Sequence, residues 1–445
     1  MRVGGSGELF GTNGVRGIAN EELTPELALN LGRTIGTLRP GKIAVACDAR
    51  ISSSMLKCAV CSGIMSTGSD SIDVGIAPTP ALQFYVKETD CNAGVIVTAS
   101  HNPREYNGIK FVQENGMEFF REMDEESERV YKSKKFRVAS WSEVGQLYDD
   151  DCNELYINAV VESVDLDKKF RVVVDCGNGA SCLTSPEIVK RLGCDVYSIN
   201  SHPDGRFPAR DPEPTDNNLT LLKKAVVDFN ADLGVAHDGD ADRAVFVDEN
   251  GNFVGEDVVL ALMAKYYVKK SGGGVVVTPV SSSKCVEDVV KMEGGEVVYT
   301  AVGSPIVAKV MIEKDAVFGG EGNGGLIFPE HLVARDGGMS IAKILQLMDE
   351  TGKKLSELAA EIPKYYIVKG KIPCKDKKKL LHELKKEFPE ANHIDGARID
   401  FEDGWVLIRP SGTEPIARIF AEGTTTKRVE ELYEFGVKTV KKILG

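Results

Sequence analysis

KIAVACDARISSS, Lys42 to Ser54, is an apolar run that gives way to Asp48, Arg50 and three serines and then to a helix-like stretch. The same shape returns as RVVVDCGNGAS from Arg171 and as GVVVTPVSSS from Gly274. Each is followed by a second β-rich run: DSIDVGIAPTP from Asp70, CDVYSINSHPDG from Cys194 and GEVVYTAVGSP from Gly295. Each then reaches a third apolar run that ends in a polar, glycine-bearing loop: AGVIVTASHNP from Ala93, ADLGVAHDGDADR from Ala231 and AVFGGEGNGG from Ala316. β-Branched runs alternating with amphipathic helices predict βαβ units on largely parallel sheets. Ligands of such sheets gather at the carboxyl ends of the strands. Three equivalent strands therefore deliver three equivalent loops. One glycine turn after a strand is ordinary, but three with unusual side chains in equivalent places call for a shared site.

A chain of 445 residues exceeds one hydrophobic core, so three or four domains are expected. The repeats divide it into an α/β domain at residues 1–151, a second at 152–251 and a third at 252–364. A fourth, α+β domain at 365–445 reads as strand, helix, strand, strand, helix and carries the loop RPSGTEP. Hydrophobic content of 42% and charged content of 27% suit a soluble globular protein. The net charge of -13 argues against non-specific nucleic-acid binding, and it requires any anionic ligand to be held by locally clustered basic residues. The start, MRVGGSGELF, has no apolar stretch for a signal peptide, and no apolar run is long enough to span a membrane. Ten dispersed cysteines fit a reduced, cytoplasmic protein. Cys58 and Cys61, in MLKCAVCSGI, read as two buried small residues rather than as a redox or metal pair.

Four loops carry the chemistry. In TASHNP, Ser100 stands just beyond the strand GVIV, where a base, a metal or a lowered pKa would make it a nucleophile. No GxSxG elbow surrounds it, which argues against a hydrolase triad. His101 follows it, and neighbours on extended chain point in opposite directions, so His101 is expected to orient the loop or touch phosphate. In DGDADR, Asp238, Asp240 and Asp242 alternate, which turns three hard oxygen ligands to one side, a set suited to Mg²⁺. An EF-hand would need glycine where Arg243 stands and a preceding helix where a strand is expected. In GGEGNGG, Glu321 and Asn323 suit sugar hydroxyls. In RPSGTEP, Arg409, Ser411, Gly412 and Thr413 supply an arginine fork, hydroxyls and freed amides, the parts that bind a phosphate dianion, with Arg418 adding charge. GTNGVRG presents Arg16 from a turn-rich loop, and Lys110, ten residues after Ser100 in EYNGIKFV, is placed to return to the same site.

Taken in this order, from GTNGVRG to RPSGTEP, the motifs resemble those of the α-D-phosphohexomutase family, the phosphoglucomutases, phosphomannomutases and phosphoglucosamine mutases. The resemblance covers essentially the whole chain, and the loops resemble those of archaeal members. It implies three related α/β domains with mixed, largely parallel sheets and a C-terminal α+β domain like the TATA-binding protein, around a central cleft. It implies a cytoplasmic isomerase that interconverts hexose 6-phosphate and hexose 1-phosphate, with one Mg²⁺ per chain and a hexose 1,6-bisphosphate as activator and intermediate. Ser100 would carry the phosphoryl group and share Mg²⁺ with Asp238, Asp240 and Asp242. Arg16, Lys110, His101 and Arg243 would serve catalysis, Lys110 as general acid/base. Glu321, Asn323, Arg409, Ser411, Gly412, Thr413 and Arg418 would bind the sugar monophosphate. The expected partner is that substrate, with no nucleic acid and no membrane, in a monomer or homo-oligomer.

The substrate is read from the loop after Tyr299, TAVGSP. Phosphoglucosamine mutases resemble VGD there and bifunctional phosphomannomutase/phosphoglucomutases resemble TGH. Val302 and Gly303 match the first pattern, and Ser304 departs from both. Glucosamine phosphate is therefore the expected substrate, with mannose or glucose phosphate as the alternative. A Mg-dependent sugar phosphatase is the alternative of another class, which the second phosphate clamp disfavours.

Overall fold

The computed structural model describes residues 9–11, 14–411 and 415–444. In the first α/β region the strands are β1 (Val15–Ile18), β2 (Lys42–Cys47), β3 (Asp70–Ile76), β4 (Ala93–Val97), β5 (Tyr106–Gln113) and β6 (Leu147–Asp149), in the sheet order β1-β5-β4-β2-β3-β6. β2 runs parallel to both β3 and β4, and β5 returns antiparallel to β4. The second region repeats the plan. β7 (Arg171–Asp175) is parallel to β8 (Asp195–Ile199) and to β9 (Leu233–His237), and β10 (Ala244–Val247) returns antiparallel to β9, with β11 (Phe253–Val254) beyond it. In the third, β12 (Val275–Pro279) is parallel to β13 (Glu296–Thr300) and to β14 (Phe318–Glu321). An antiparallel pair follows, β15 (Gly325–Phe328) with β16 (Leu332–Arg335). The first two sheets are mixed because the strand after the loop doubles back to pair antiparallel with the strand before it.

Central strands buried on both faces should read as unbroken apolar runs rather than alternating ones. β2 and β4 do so: Ile43, Ala44, Val45, Ala46, Val95, Ile96 and Val97 are all fully buried. Two helices pack over this sheet, Pro25–Leu38 and Ser53–Met65. They approach so closely that a Cβ on Gly63 would sit 2.1 Å from the Leu29 carbonyl oxygen. The second of these helices contains the CxxC. Cys61 faces the core, but Cys58 is exposed, so the expectation of two buried residues holds for one. Three residues span 300° of a helix of 3.6 residues per turn, which lets the two thiols diverge at the edge of the apolar stripe.

The C-terminal region is an antiparallel sheet, β17 (Tyr366–Pro373), β18 (Ala397–Phe401), β19 (Gly404–Pro410) and β20 (Ile416–Gly423), in the order β17-β20-β19-β18. Helices Lys377–Glu387 and Thr426–Leu444 complete it. It holds one strand more than the sequence suggested. ARIDF forms β18 by pairing with β19, a partner that supplies what the short, charge-interrupted run does not announce.

Packing groups the described chain into two compact units: residues 9–259 with 323–359, and residues 260–322 with 360–444. The residues read as a third α/β domain thus contribute to both. Within the second unit, the C-terminal sheet is fastened to the end of β12. Buried Arg398 lies over the rings of Tyr299 and Trp405 and donates to the carbonyls of Val280 (2.9 Å) and Ser282 (3.2 Å). Glu422 accepts from Trp405 Nε1 at 2.7 Å and from the Lys284 amide at 2.8 Å. Among the described residues, no helix is long and apolar enough to cross a membrane.

Overpacking a tight helix contact costs about 1–3 kcal/mol. Gly63→Ala is therefore expected to lower the urea midpoint of unfolding by that equivalent. A midpoint equal to wild type would show that the two helices can move apart freely.

Candidate active site

The loop after β4 and the loop after β9 meet. Ser100 Oγ donates to Asp238 Oδ2 at 2.8 Å across 138 residues of chain. A Cβ on Gly239 would lie 2.6 Å from the Ser100 carbonyl oxygen, so only glycine permits this approach. Two non-glycine residues in these loops adopt left-handed backbone, Ser100 (φ 52°) and Ala241 (φ 54°). Such conformations persist where the surroundings impose them, and they cluster at functional sites.

The turn at Ala241, rather than an extended run, brings the carboxylates together: the Ala241 amide donates to the Asp238 carbonyl at 3.3 Å. One oxygen from each of Asp238, Asp240 and Asp242 lies within 4.8 Å of the others, and all three residues are buried. The left-handed turn at Ser100 also alters an expectation about its neighbour. Ser100 and His101 do not diverge as on extended chain; Oγ and Nδ1 stand 3.4 Å apart. Burial, with the charges of Arg243 and Arg16, pushes the His101 pKa down to about 3, so the imidazole is neutral.

Cations surround the carboxylates. Buried Lys110, on β5, has its Nζ 3.3 Å from Asp240, 3.5 Å from Glu118 and 3.9 Å from Asp242. Burial alone would lower its pKa, yet Asp240, Glu118 and Asp242 raise it, and it stands as an ammonium. Arg243 Nε lies 3.8 Å from both Asp238 and Asp242. Arg16, on β1, donates to Asn102 Oδ1 at 2.6 Å. Burial followed by the charges of Asp242 and Asp240 lifts the pKa of Asp238 well above the carboxylate range. Burial pushes Asp240 the same way, but Lys110, the Thr79 hydroxyl, Arg335 and Arg16 together draw it below that range.

Two of these partners carry no recognised motif. Arg335, at the end of β16, pairs through Nη2 with Asp242 Oδ2. Thr79 donates to Asp240 Oδ2 at 2.7 Å and gives its amide to the Asp240 carbonyl at 2.9 Å. A charged residue closing the short run LVAR before Asp-Gly-Gly, and a threonine between two prolines after β3, were the available signals.

The arrangement suits a hard divalent cation. Asp240 Oδ1 and Asp242 Oδ1 are buried and accept no hydrogen bond, and the donors are all oxygen.

In the other unit, Arg409 on β19 faces Arg418 on β20, which in turn faces Lys371 on β17. Like charges directly opposite one another on a sheet repel, and an anion among them relieves that repulsion. Arg409 Nη2 meets Asp395 at 3.0 Å, while its Nε is buried without a hydrogen-bond partner. Ser411 is buried at the end of the same strand, and Glu321 is buried at the end of β14. Asn323 belongs to the first unit, where its Oδ1 accepts the Gly325 amide at 3.1 Å. Gly412 and Thr413 lie outside the described residues.

Models of phosphoglucomutase/phosphomannomutase domains I, II, III and IV match residues 7–138, 154–251, 255–366 and 371–437 in turn. The chain belongs to the phosphoglucomutase/phosphomannomutase family, the α-D-phosphohexomutases. A phosphoglucomutase/phosphomannomutase of Thermococcus kodakarensis is 47% identical, over 98% of this chain and 99% of that one. A probable phosphoglucosamine mutase of Pyrococcus abyssi is 46% identical over 98% of each. The crystal structure of a family member from Burkholderia thailandensis superposes with a TM-score of 0.90 at 25% identity, covering 98% of both chains. The fold also matches that of Aspergillus fumigatus N-acetylphosphoglucosamine mutase, solved in complex with GlcNAc-6P and magnesium (TM-score 0.61, 16% identity, 98% of this chain and 96% of that one). This phosphohexomutase is thus an enzyme of the isomerase class, and its mostly archaeal relatives agree with the resemblance drawn from the loops.

Gly239→Ala is expected to push Ser100 away from Asp238. A displacement of about 1 Å costs on the order of 100-fold in rate, so turnover should fall by that factor while the melting temperature changes little. Full turnover would show that the close approach of the two loops does not set the site.

Proposed function

We propose that this phosphohexomutase interconverts glucosamine 6-phosphate and glucosamine 1-phosphate through a phosphoserine at Ser100. The observation that carries this reading is the Ser100 Oγ hydrogen bond to Asp238 within the buried carboxylate triad. Asp238, Asp240 and Asp242 would hold one Mg²⁺ together with the Ser100 phosphate. That ion, when bound, supplies neutralisation of the phosphoryl charge in transfer.

The chain's own groups do the rest. A hydroxyl of the sugar monophosphate attacks the phosphorus; the bond to Ser100 Oγ breaks and a bond to the sugar oxygen forms, giving a 1,6-bisphosphate. Lys110 gives its ammonium proton to the departing Oγ and takes the proton of the attacking hydroxyl, so its own state is restored. The reverse exchange at the other end of the bisphosphate returns a phosphate to Ser100. Arg16 and Arg243 stabilise the transferring oxygens, and neutral His101, beside Oγ, orients the loop. Glu321 and Asn323 take sugar hydroxyls, while Arg409, Ser411, Gly412, Thr413 and Arg418 clamp the phosphate that does not react. The Arg409–Arg418–Lys371 register supports this clamp. Phosphoryl transfer asks mainly for position and charge neutralisation, which these parts supply. Glucosamine phosphate as the substrate rests on Val302-Gly303 and on the probable phosphoglucosamine mutases among the relatives.

Phosphorus NMR with Mg²⁺ and a trace of the matching hexose bisphosphate, offered glucosamine, mannose and glucose 6-phosphates separately, tests the reading. A 1-phosphate should appear without free phosphate, fastest from glucosamine 6-phosphate. Inorganic phosphate from all three sugars, with no 1-phosphate, would identify a phosphatase instead. Ser100→Ala should abolish turnover yet still bind substrate, and activity retained there would end the phosphoserine mechanism. Chelation of divalent ions should stop turnover and added Mg²⁺ should restore it; turnover indifferent to chelation would remove the metal from the site.

A further inference from the structure

In each repeat, a polar side chain at or beside the end of the first strand helps to tie down a backbone carbonyl at a functional loop, by its own hydroxyl in one repeat and through an arginine in the other two. Thr278, in β12, donates to the carbonyl of Gly320, one residue before Glu321, at 2.9 Å. Asp175, ending β7, anchors Arg210 (Nε to Oδ2, 3.0 Å), whose Nη2 donates to the carbonyl of His237 at 2.6 Å, one residue before Asp238. The first repeat does this most fully. Asp48, just after β2, accepts Arg50 Nε at 2.9 Å. Arg50 then donates to the carbonyls of Ser100 (2.8 Å), Asn102 (2.7 Å), Pro103 (2.6 Å) and Tyr106 (2.9 Å).

A guanidinium carries five N–H donors in a fixed fork. All five of Arg50 are committed, four of them to the loop that opens at Ser100. The Asp48 and Arg50 side chains are both fully buried, and Phe207 lies over the guanidinium at 5.3 Å. Asp48 also accepts the Thr98 hydroxyl at 2.7 Å, and that hydroxyl accepts the Ser100 amide at 2.9 Å. Ser100 is therefore gripped at both its N–H and its C=O, on either side of the left-handed φ of 52°. That conformation is rare for a serine and endures only where its neighbours over-determine it.

We infer that Arg50, anchored by Asp48, is a positioning residue for Ser100: it fixes the backbone of the 100–106 loop so that Oγ faces Asp238. The inference rests on Ser100 being the phosphoryl carrier and adds a residue that acts only through it. Lysine cannot replace this function, because one nitrogen on a flexible stem cannot span four carbonyls.

Arg50→Lys keeps the charge and removes the fork. In the phosphorus NMR assay, kcat should fall about 100-fold, as a roughly 1 Å misplacement predicts, with KM within twofold of wild type. Thr98→Val, which removes one hydroxyl at constant shape, should act in the same direction, and Thr98→Ser should restore activity; these two carry the test if Arg50→Lys does not fold. Amide hydrogen exchange over residues 98–107, in the absence of substrate, should be at least about tenfold faster in Arg50→Lys and Thr98→Val, an opening of about 1.4 kcal/mol. Wild-type kcat in the folded variants, a raised KM at unchanged kcat, or unchanged exchange would overturn the inference. If the wild-type enzyme turned over none of the three sugars, the mutase reading would fall, and the exchange comparison would still decide whether Arg50 holds the loop.

Discussion

Three carboxyl groups held within 4.8 Å of one another in a buried place can coexist only if a proton or neighbouring cations bear part of their charge. Each like-charged pair at that spacing costs about 3–4 kcal/mol at an effective dielectric of 20. Lys110, Arg335 and Arg243 carry the compensating charges, and they arrive from β5, β16 and the DGDADR loop itself. The cluster thereby draws three separate stretches of sequence to one point. The Ser100 loop, the Thr79 turn and the end of β16 all have the same neighbour, and the strands behind them must align accordingly. The electrostatic demand and the sheet topology are two descriptions of one constraint.

Much of this was legible in the residues. β-Branched runs that are apolar throughout, recurring with a helix between, could only be central strands, and β2, β7 and β12 each became the middle of a parallel trio. The alternating aspartates of DGDADR announced their chemistry through composition alone, since no apolar packing role fits them. Arg335 and Thr79 were hidden for the opposite reason. Each is a single polar residue in an ordinary context, and its importance arises from a partner more than ninety residues away. β18 escaped notice likewise, because its pairing with β19 rather than its own composition makes it a strand.

The Ser100–His101 geometry shows where local rules give way. Alternation of side chains belongs to extended backbone. One residue in left-handed conformation is enough to bring two neighbours to the same side. Such a residue is invisible in a serine-containing loop until the contacts that impose it are known. Here those contacts come from Asp48, Arg50 and Thr98, which belong to the repeat that the sequence displays most openly.

The pairing of Asp242 with Arg335 also bears on how the chain is made. A ribosome delivers residues in order, and Arg335 follows Asp242 by 93 positions, after a long excursion into the other unit. During that interval the nascent acidic cluster lacks one of its permanent counter-charges. β16 lies in the part of the first unit that emerges after the excursion, so that late segment brings the counter-charge with which the acidic cluster can be buried.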